Sequence, residues 1–198
     1  MPALAADAGL DSRLKALENR YNHAQTLQVQ FTEGYTGPGQ PQRSESGMLS
    51  LRKPGRMRWD YTAPPGKLFI SDGKNVYLYL PSANRVEKMK LKESEDMRVP
   101  LAFLLGKLNF QKEFQNITET PEGSGRLISA EPKSPDLPYS RVEFSVTPDL
   151  QIRRLKVIGQ DKSVLDFLFE QERLNPSLDS KLFEFHVPRG AQLVEAGQ

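Results

Sequence analysis

Residues 47–79 read Gly47-Met-Leu-Ser-Leu-Arg-Lys-Pro-Gly-Arg-Met-Arg-Trp-Asp-Tyr61-Thr-Ala-Pro-Pro-Gly-Lys-Leu-Phe-Ile70-Ser-Asp-Gly-Lys-Asn-Val-Tyr-Leu-Tyr79. Short extended runs alternate with sharp turns at Lys53-Pro54-Gly55, Ala63-Pro64-Pro65-Gly66 and Ser71-Asp72-Gly73-Lys74. Proline fixes φ and glycine accepts φ > 0, so each cluster reverses the chain. Between the first two turns, Met57, Trp59 and Tyr61 alternate with Arg56, Arg58 and Asp60. A period of two sends the bulky apolar row to one face of a strand and the charges to the other. Such a face needs a cover.

The same period recurs on both sides of this stretch. Leu27, Val29 and Phe31 alternate with Gln28, Gln30 and Thr32, and a second strand is expected from Arg43 to Leu51 with Leu49 and Leu51 on its apolar face. Downstream, strands are expected at Val76–Leu80, Arg85–Lys90, Phe114–Thr120, Gly125–Ala130, Tyr139–Val146, Leu150–Ile158 and Ser163–Arg173. The last carries Leu165, Phe167 and Phe169 in alternation. Two segments break the rhythm. Leu10, Leu14, Leu17 and Tyr21 recur at helical spacing, a single apolar stripe with Asp11 or Ser12 able to cap its start. Val99–Leu105 follows a polar run, 92–96, and is apolar on every side, with Pro100 near its start and Gly106 after it. A helix of that kind must be buried all round or plug an apolar hollow.

The expected class is therefore mainly antiparallel β with minor α. A single sheet with so bulky an inner face can split into a sandwich, close into a filled barrel, or curl around a helix and leave an apolar cavity, and the two helices, natural covers for the open side of a curled sheet, favour the third. At 198 residues this is one domain, expected over 9–198, with residues 1–8 a disordered terminus or the remnant of an export-signal cleavage region, since Ala3-Leu4-Ala5 has small-x-small form. Export would place the protein in the periplasm.

Composition narrows the chemistry. With 27 basic and 25 acidic side chains the net charge is +2, too balanced for a nucleic-acid partner. No apolar run is long enough to span a bilayer, so stable membrane insertion is not expected. The absence of cysteine removes disulfides, thiolate metal sites, cysteine nucleophiles and an acyl-acceptor thiol. His23 and His186 are the two imidazoles, too few for a three-histidine zinc site. No Gly-x-Ser-x-Gly elbow accompanies Ser71, and no carboxylate pair flanks a common cleft. No catalytic residues, metal or cofactor are expected.

Three pieces together resemble the LolA family of periplasmic lipoprotein carriers. They are Arg52-Lys53-Pro54 with Trp59 six residues after Lys53, Ser71-Asp72-Gly73-Lys74 before an aromatic strand, and the ending Phe183-Glu-Phe185-His-Val-Pro188-Arg-Gly190. The resemblance implies a single curled sheet forming an unclosed β-barrel, lidded by short helices, and a carrier that binds acyl chains in its hydrophobic cavity. It would take an acylated lipoprotein from an inner-membrane ABC transporter and pass it to an outer-membrane acceptor, acting as a monomer. On this mapping the cavity is lined by Leu14, Leu49, Leu51, Met57, Trp59, Tyr61, Leu68, Ile70, Leu165, Phe167 and Phe169. Leu101, Phe103, Leu104 and Leu105 form the lid. In the family an arginine before the proline latches the lid. Here that position is Lys53, beside Arg52, and lysine lacks the planar fork of guanidinium. The alternative from another class is an envelope sensor of the same open-barrel fold that binds lipid or lipoprotein and signals to a protein. Taken alone, Trp59 and the Leu165/Phe167/Phe169 row read as ordinary core, and the basic cluster Arg43, Arg52, Lys53, Arg56 and Arg58 as a solvated face or a surface for an acidic partner.

Overall fold

The computed structural model describes residues 3–91 and 108–195, with side chains from residue 9 onward. The expected apolar helix at Val99–Leu105, and with it Leu101, Phe103, Leu104 and Leu105, lies outside the described residues.

A helix, α1 (Ala3–His23), leads through two residues into β1 (Thr26–Thr36). A meander follows: β2 (Arg43–Arg52), β3 (Arg56–Ala63), β4 (Leu68–Asp72), β5 (Asn75–Leu80) and β6 (Arg85–Lys90). After the connection, one helical turn, α2 (Phe110–Glu113), precedes a second meander. This comprises β7 (Phe114–Glu122), β8 (Gly125–Pro132), β9 (Tyr139–Val146), β10 (Ile152–Gly159) and β11 (Val164–Leu174), and the short β12 (Gln192–Glu195) follows near the chain end. All twelve strands form one sheet in the order β12-β6-β5-β4-β3-β2-β1-β11-β10-β9-β8-β7, with β12 and β7 at its edges. It is a single antiparallel sheet not closed into a barrel, apart from the parallel pair β12–β6. Because β1 lies at its centre, the two meanders run outward from β1 and β11, and the 91–109 connection joins opposite ends of the sheet.

Two elements differ from the expectation. The helix begins at Ala3, not Leu10; alanine, frequent in its first turns, has the highest helix propensity of any residue. The strand β12 was not expected, because its side chains are mostly exposed and carry no alternation of burial.

Register fixes the faces. Leu49 stands opposite Trp59 and Leu51 opposite Met57, while Phe31 faces Gly47 on one side and Phe169 on the other. Gly47 is required there, since a Cβ would lie 2.0 Å from the Asp60 carbonyl oxygen. Across the second meander Phe167, Leu155, Phe144 and Ile128 continue one inner row. Onto this face pack Leu14, Leu17 and Tyr21 of α1, together with Leu108, Phe110 and Phe114, in one contiguous core.

Candidate functional site

The inner face is built on aromatic contacts. Trp59 is fully buried, 4.7 Å from Phe31 in an edge-to-face arrangement and 5.4 Å from Phe167. Its indole N–H donates to Met57 Sδ at 3.5 Å, so its one polar atom is satisfied without water. Phe167 stacks on Phe169 at 6.0 Å, and Phe31 meets Tyr61 at 5.2 Å. Leu14, Leu49, Leu51, Met57, Trp59, Tyr61, Leu165, Phe167 and Phe169 are all buried and share one core cluster. A hollow of about 20 Å³ remains against Tyr21, Leu27, Leu49, Leu51, Ile152 and Phe169.

Leu68 and Ile70 do not belong to this face. Phe69 pairs with Trp59 and Ser71 with Met57, which turns Leu68 and Ile70 to the side of Arg58 and Asp60. They line a groove of about 410 Å³ on the outer face, with Arg58, Asp60, Tyr79 and Phe185. The run Leu68-Phe69-Ile70 is apolar throughout, so no alternation was available to reveal its phase. On β5 the same register places Val76 and Leu78 inside and Tyr77 and Tyr79 outside.

The apolar face turns polar at its hairpin end. Tyr61 donates through its hydroxyl to buried Glu33 at 3.1 Å, Lys67 bonds Glu45, and the Lys67 ammonium sits 4.3 Å from the Tyr61 ring centre.

At the opposite end, α1 is pinned by its last turn. The Tyr21 hydroxyl donates to Glu172 at 2.8 Å and accepts from the Ile152 amide at 2.9 Å. Arg20 donates to the same carboxylate at 2.6 Å. Burial, reinforced by the Glu172 charge, pushes the Tyr21 phenol well above its ordinary pKa. The Asn22 side chain donates to the Leu108 carbonyl and accepts from the Leu108 amide, each at 2.7 Å, as a strand neighbour would. Glu18 accepts from the Phe110 amide at 2.7 Å. Breaking a buried network that leaves an unpaired charge costs about 3–5 kcal/mol. Nearer its start, α1 is held by the Arg13–Glu119 ion pair at 2.9 Å and the exposed Gln111–Asp11 bond at 3.1 Å. Partly solvated pairs of this kind contribute roughly 0–1 kcal/mol.

Lys53 reaches a helix end. Its ammonium donates to the Asn22 carbonyl in the last turn of α1, where the dipole favours a cation, and its own amide donates to the Gln25 carbonyl at 2.9 Å. Partial burial lowers its pKa. Arg52 does not share this role. One residue out of phase with Leu51, it points to the outer face, where it bonds the Leu178 carbonyl at 3.4 Å. Arg58 binds Asp60 through two nitrogens, at 2.6 and 2.8 Å, and the Leu182 carbonyl at 3.1 Å. Part of the basic cluster thus fastens the C-terminal segment across the outer face of β2–β6. That segment buries Phe183, stacks Phe185 on Tyr77 at 4.9 Å and accepts from Asn84 at Gly190.

The sequence reading missed Tyr21, Asn22, Glu172 and Phe69 as members of this arrangement. Tyr21 was visible on the helical stripe. Asn22 and Glu172 gave no local signal, because their partners lie 86 and 151 residues away. Among the described residues there is no group of three or more His, Asp or Glu side chains able to hold a metal.

Known proteins share this arrangement of strands. The chain resembles an uncharacterized conserved protein from Thermus thermophilus, with a TM-score of 0.54 at 12% identity over 94% of this chain and 99% of that one. It also resembles a DUF1329 family protein from Desulfovibrio piger, with a TM-score of 0.52 at 15% identity over 90% and 97%. Both likenesses concern the fold alone. In sequence it is 30% identical to the outer-membrane lipoprotein carrier protein of Bordetella avium, over 98% of this chain and 91% of that protein. With the corresponding Azotobacter vinelandii protein it shares 29% identity over 98% and 93%. The family model described as outer membrane lipoprotein carrier protein LolA matches residues 22–186. With a match over that much of its length, the chain belongs to the LolA family.

Proposed function

We propose that this protein carries acylated lipoproteins through the periplasm from the inner to the outer membrane, with the acyl chains held against the inner face of the sheet. The observation that carries this reading is the continuous buried row Phe31, Trp59, Phe167 and Phe169, overlain by an amphipathic helix rather than by a second sheet. A helix held largely by side-chain contacts can leave that row; a hydrogen-bonded strand cannot without breaking its ladder. The carrier names of the relatives in Bordetella and Azotobacter support the same reading.

Energetics support a carrier that works between other machines. Each buried methylene contributes about 0.8 kcal/mol, so a chain of ~14 methylenes gains on the order of 11 kcal/mol on leaving water. A bilayer offers nearly the same. Apolar affinity therefore shields the chains in transit but does not extract them. An inner-membrane ABC transporter is proposed to load the carrier, and an outer-membrane acceptor to unload it.

The test is direct. Bis-ANS should bind the folded protein and be displaced by a triacylated lipopeptide, and native mass spectrometry of protein taken from its own periplasm should show co-purifying lipoprotein. Failure of both ligands to bind an intact fold would remove the carrier reading.

A further inference from the structure

We infer that Glu33, with Tyr61, Glu45 and Lys67 around it, receives the polar head of the acylated residue and selects heads bearing an N–H donor over anionic ones. This rests on the carrier reading and gives the bound lipid a direction. Phe31 belongs to the aromatic centre, and Glu33, two residues further along β1, shares its face. Register sets Glu33 beside Phe167 of β11 on one side and Glu45 of β2 on the other. At 3% exposure, it places a carboxylate in the apolar row where the face is still closed to water. Packing does not call for one. A buried charge carries a desolvation cost, and an apolar side chain of similar volume would be at least as stable there. Like charges directly opposed across a strand pair are also destabilising. Lys67 bonds Glu45, with its ammonium 4.3 Å from the Tyr61 ring centre, while Tyr61 donates its hydroxyl to Glu33 at 3.1 Å. Arg43, the next residue of this phase beyond Glu45, is exposed, where water and salt screen it. Glu33 is thus the least exposed of these charges.

Lengths along the strand agree with this direction. From Glu33 back to Leu27, β1 covers about 20 Å at ~3.3 Å per residue. An acyl chain in a bilayer occupies about 15 Å, half of the ~30 Å hydrocarbon core. A chain with its head at Glu33 therefore ends near Leu27, Leu49, Leu51 and Phe169, which line the apolar hollow. The reverse direction would bring the head against Tyr21 and Glu172, whose polar atoms are already engaged with each other, with Arg20 and with the Ile152 amide. At Glu33 the amide N–H of the acylated residue, or its α-ammonium where the nitrogen is free, donates to the carboxylate. Such charge-assisted bonds are roughly twice as strong as neutral ones. A carboxylate offers about four lone-pair sites, so it accepts this donor while keeping Tyr61. A phosphate or carboxylate head meets like charge instead, which discriminates against anionic phospholipids and fatty acids.

Two probes with identical acyl chains and peptide isolate the head. One is a diacylated lipopeptide with a free α-amine; the other is the same lipopeptide N-succinylated, which puts a carboxylate where the ammonium was. Displacement of bis-ANS at about pH 6.5, where an α-amine is protonated, gives the ratio of affinities, and melting curves verify the fold. The parent should prefer the amine by about tenfold or more, as expected when a charge is reversed close to a carboxylate. Glu33→Gln keeps the volume and an acceptor oxygen, and should reduce that ratio severalfold. Lys67→Met should widen it. A purely structural role would weaken both probes alike and leave the ratio fixed. Equal or reversed affinities in the parent, a Glu33→Gln ratio equal to the parent's, or a ratio that falls in Lys67→Met overturns the inference. Binding of neither probe to the folded parent would instead remove the carrier reading on which it stands.

Discussion

Tyr21 and Glu172, 151 residues apart in sequence, share a hydrogen bond of 2.8 Å whose phenolic oxygen also accepts the Ile152 amide. One buried side chain thus ties the helix to two adjacent strands, and the phenol must stay protonated to donate. Tyr21→Phe removes both bonds, and a buried group left without its partner costs about 1–3 kcal/mol. Urea unfolding should register a loss of that size. The pH dependence has a definite sign. The folded phenol titrates above its unfolded value of about 10, so its contribution is complete below that pH and is lost as pH rises toward the folded value. Tyr21→Phe should flatten the alkaline limb of stability, and an ultraviolet titration should show one tyrosine fewer ionising on alkaline unfolding than in the parent.

Trp59 lies at the aromatic centre with no exposure. Truncating a fully packed tryptophan costs about 3–5 kcal/mol, so Trp59→Ala should lower stability by that amount and also weaken lipopeptide binding in the folded fraction. Unchanged affinity in that fraction would make Trp59 core alone.

Lys53 supplies a cation to the last turn of α1. A cation at a partly buried helix end contributes up to roughly 2 kcal/mol. Lys53→Met should reduce stability by an amount within that range and slow transfer of bound lipopeptide to an acceptor, because a helix loosened at that end does not settle back over the inner face. Lys53→Arg should restore both. Wild-type transfer rates in Lys53→Met would end this role.

Asp72 organises the Ser71–Lys74 turn. Burial pushes its carboxyl up, but bonds from the Asn75 and Lys74 amides together hold it below its ordinary pKa. Its contribution is therefore present above the unfolded carboxylate value and is lost as pH falls through the lower folded one. Asp72→Asn keeps the acceptor oxygen and removes the charge, so melting temperatures should fall less steeply with acid than in the parent.

Arg58 ties the C-terminal segment to the outer face through the Leu182 carbonyl. Arg58→Ala should raise hydrogen exchange in residues 178–195 while leaving lipopeptide affinity intact, since the site is on the opposite face. A loss of affinity would mean that the segment acts on the inner face.

Local periodicity along the chain reveals the antiparallel class, the inner row Met57, Trp59 and Tyr61, the row Leu165, Phe167 and Phe169, and the stripe of α1. In each, the direction of a side chain follows from a local period, two for a strand and 3.6 for a helix. Where the period is missing, the information is missing too. Leu68-Phe69-Ile70 is apolar throughout, so only pairing with β3 turned Phe69 inward and Leu68 and Ile70 outward. Arg52 and Lys53 are neighbours with similar chemistry, yet one reaches the C-terminal segment and the other the end of α1, because strand phase separates them. The fastening of the helix by Asn22 and Glu172, and the parallel pairing of β12 with β6, were decided by tertiary structure alone. A polar side chain takes its role from the partner that folding brings to it, and nothing within a few residues of it in the chain encodes that partner.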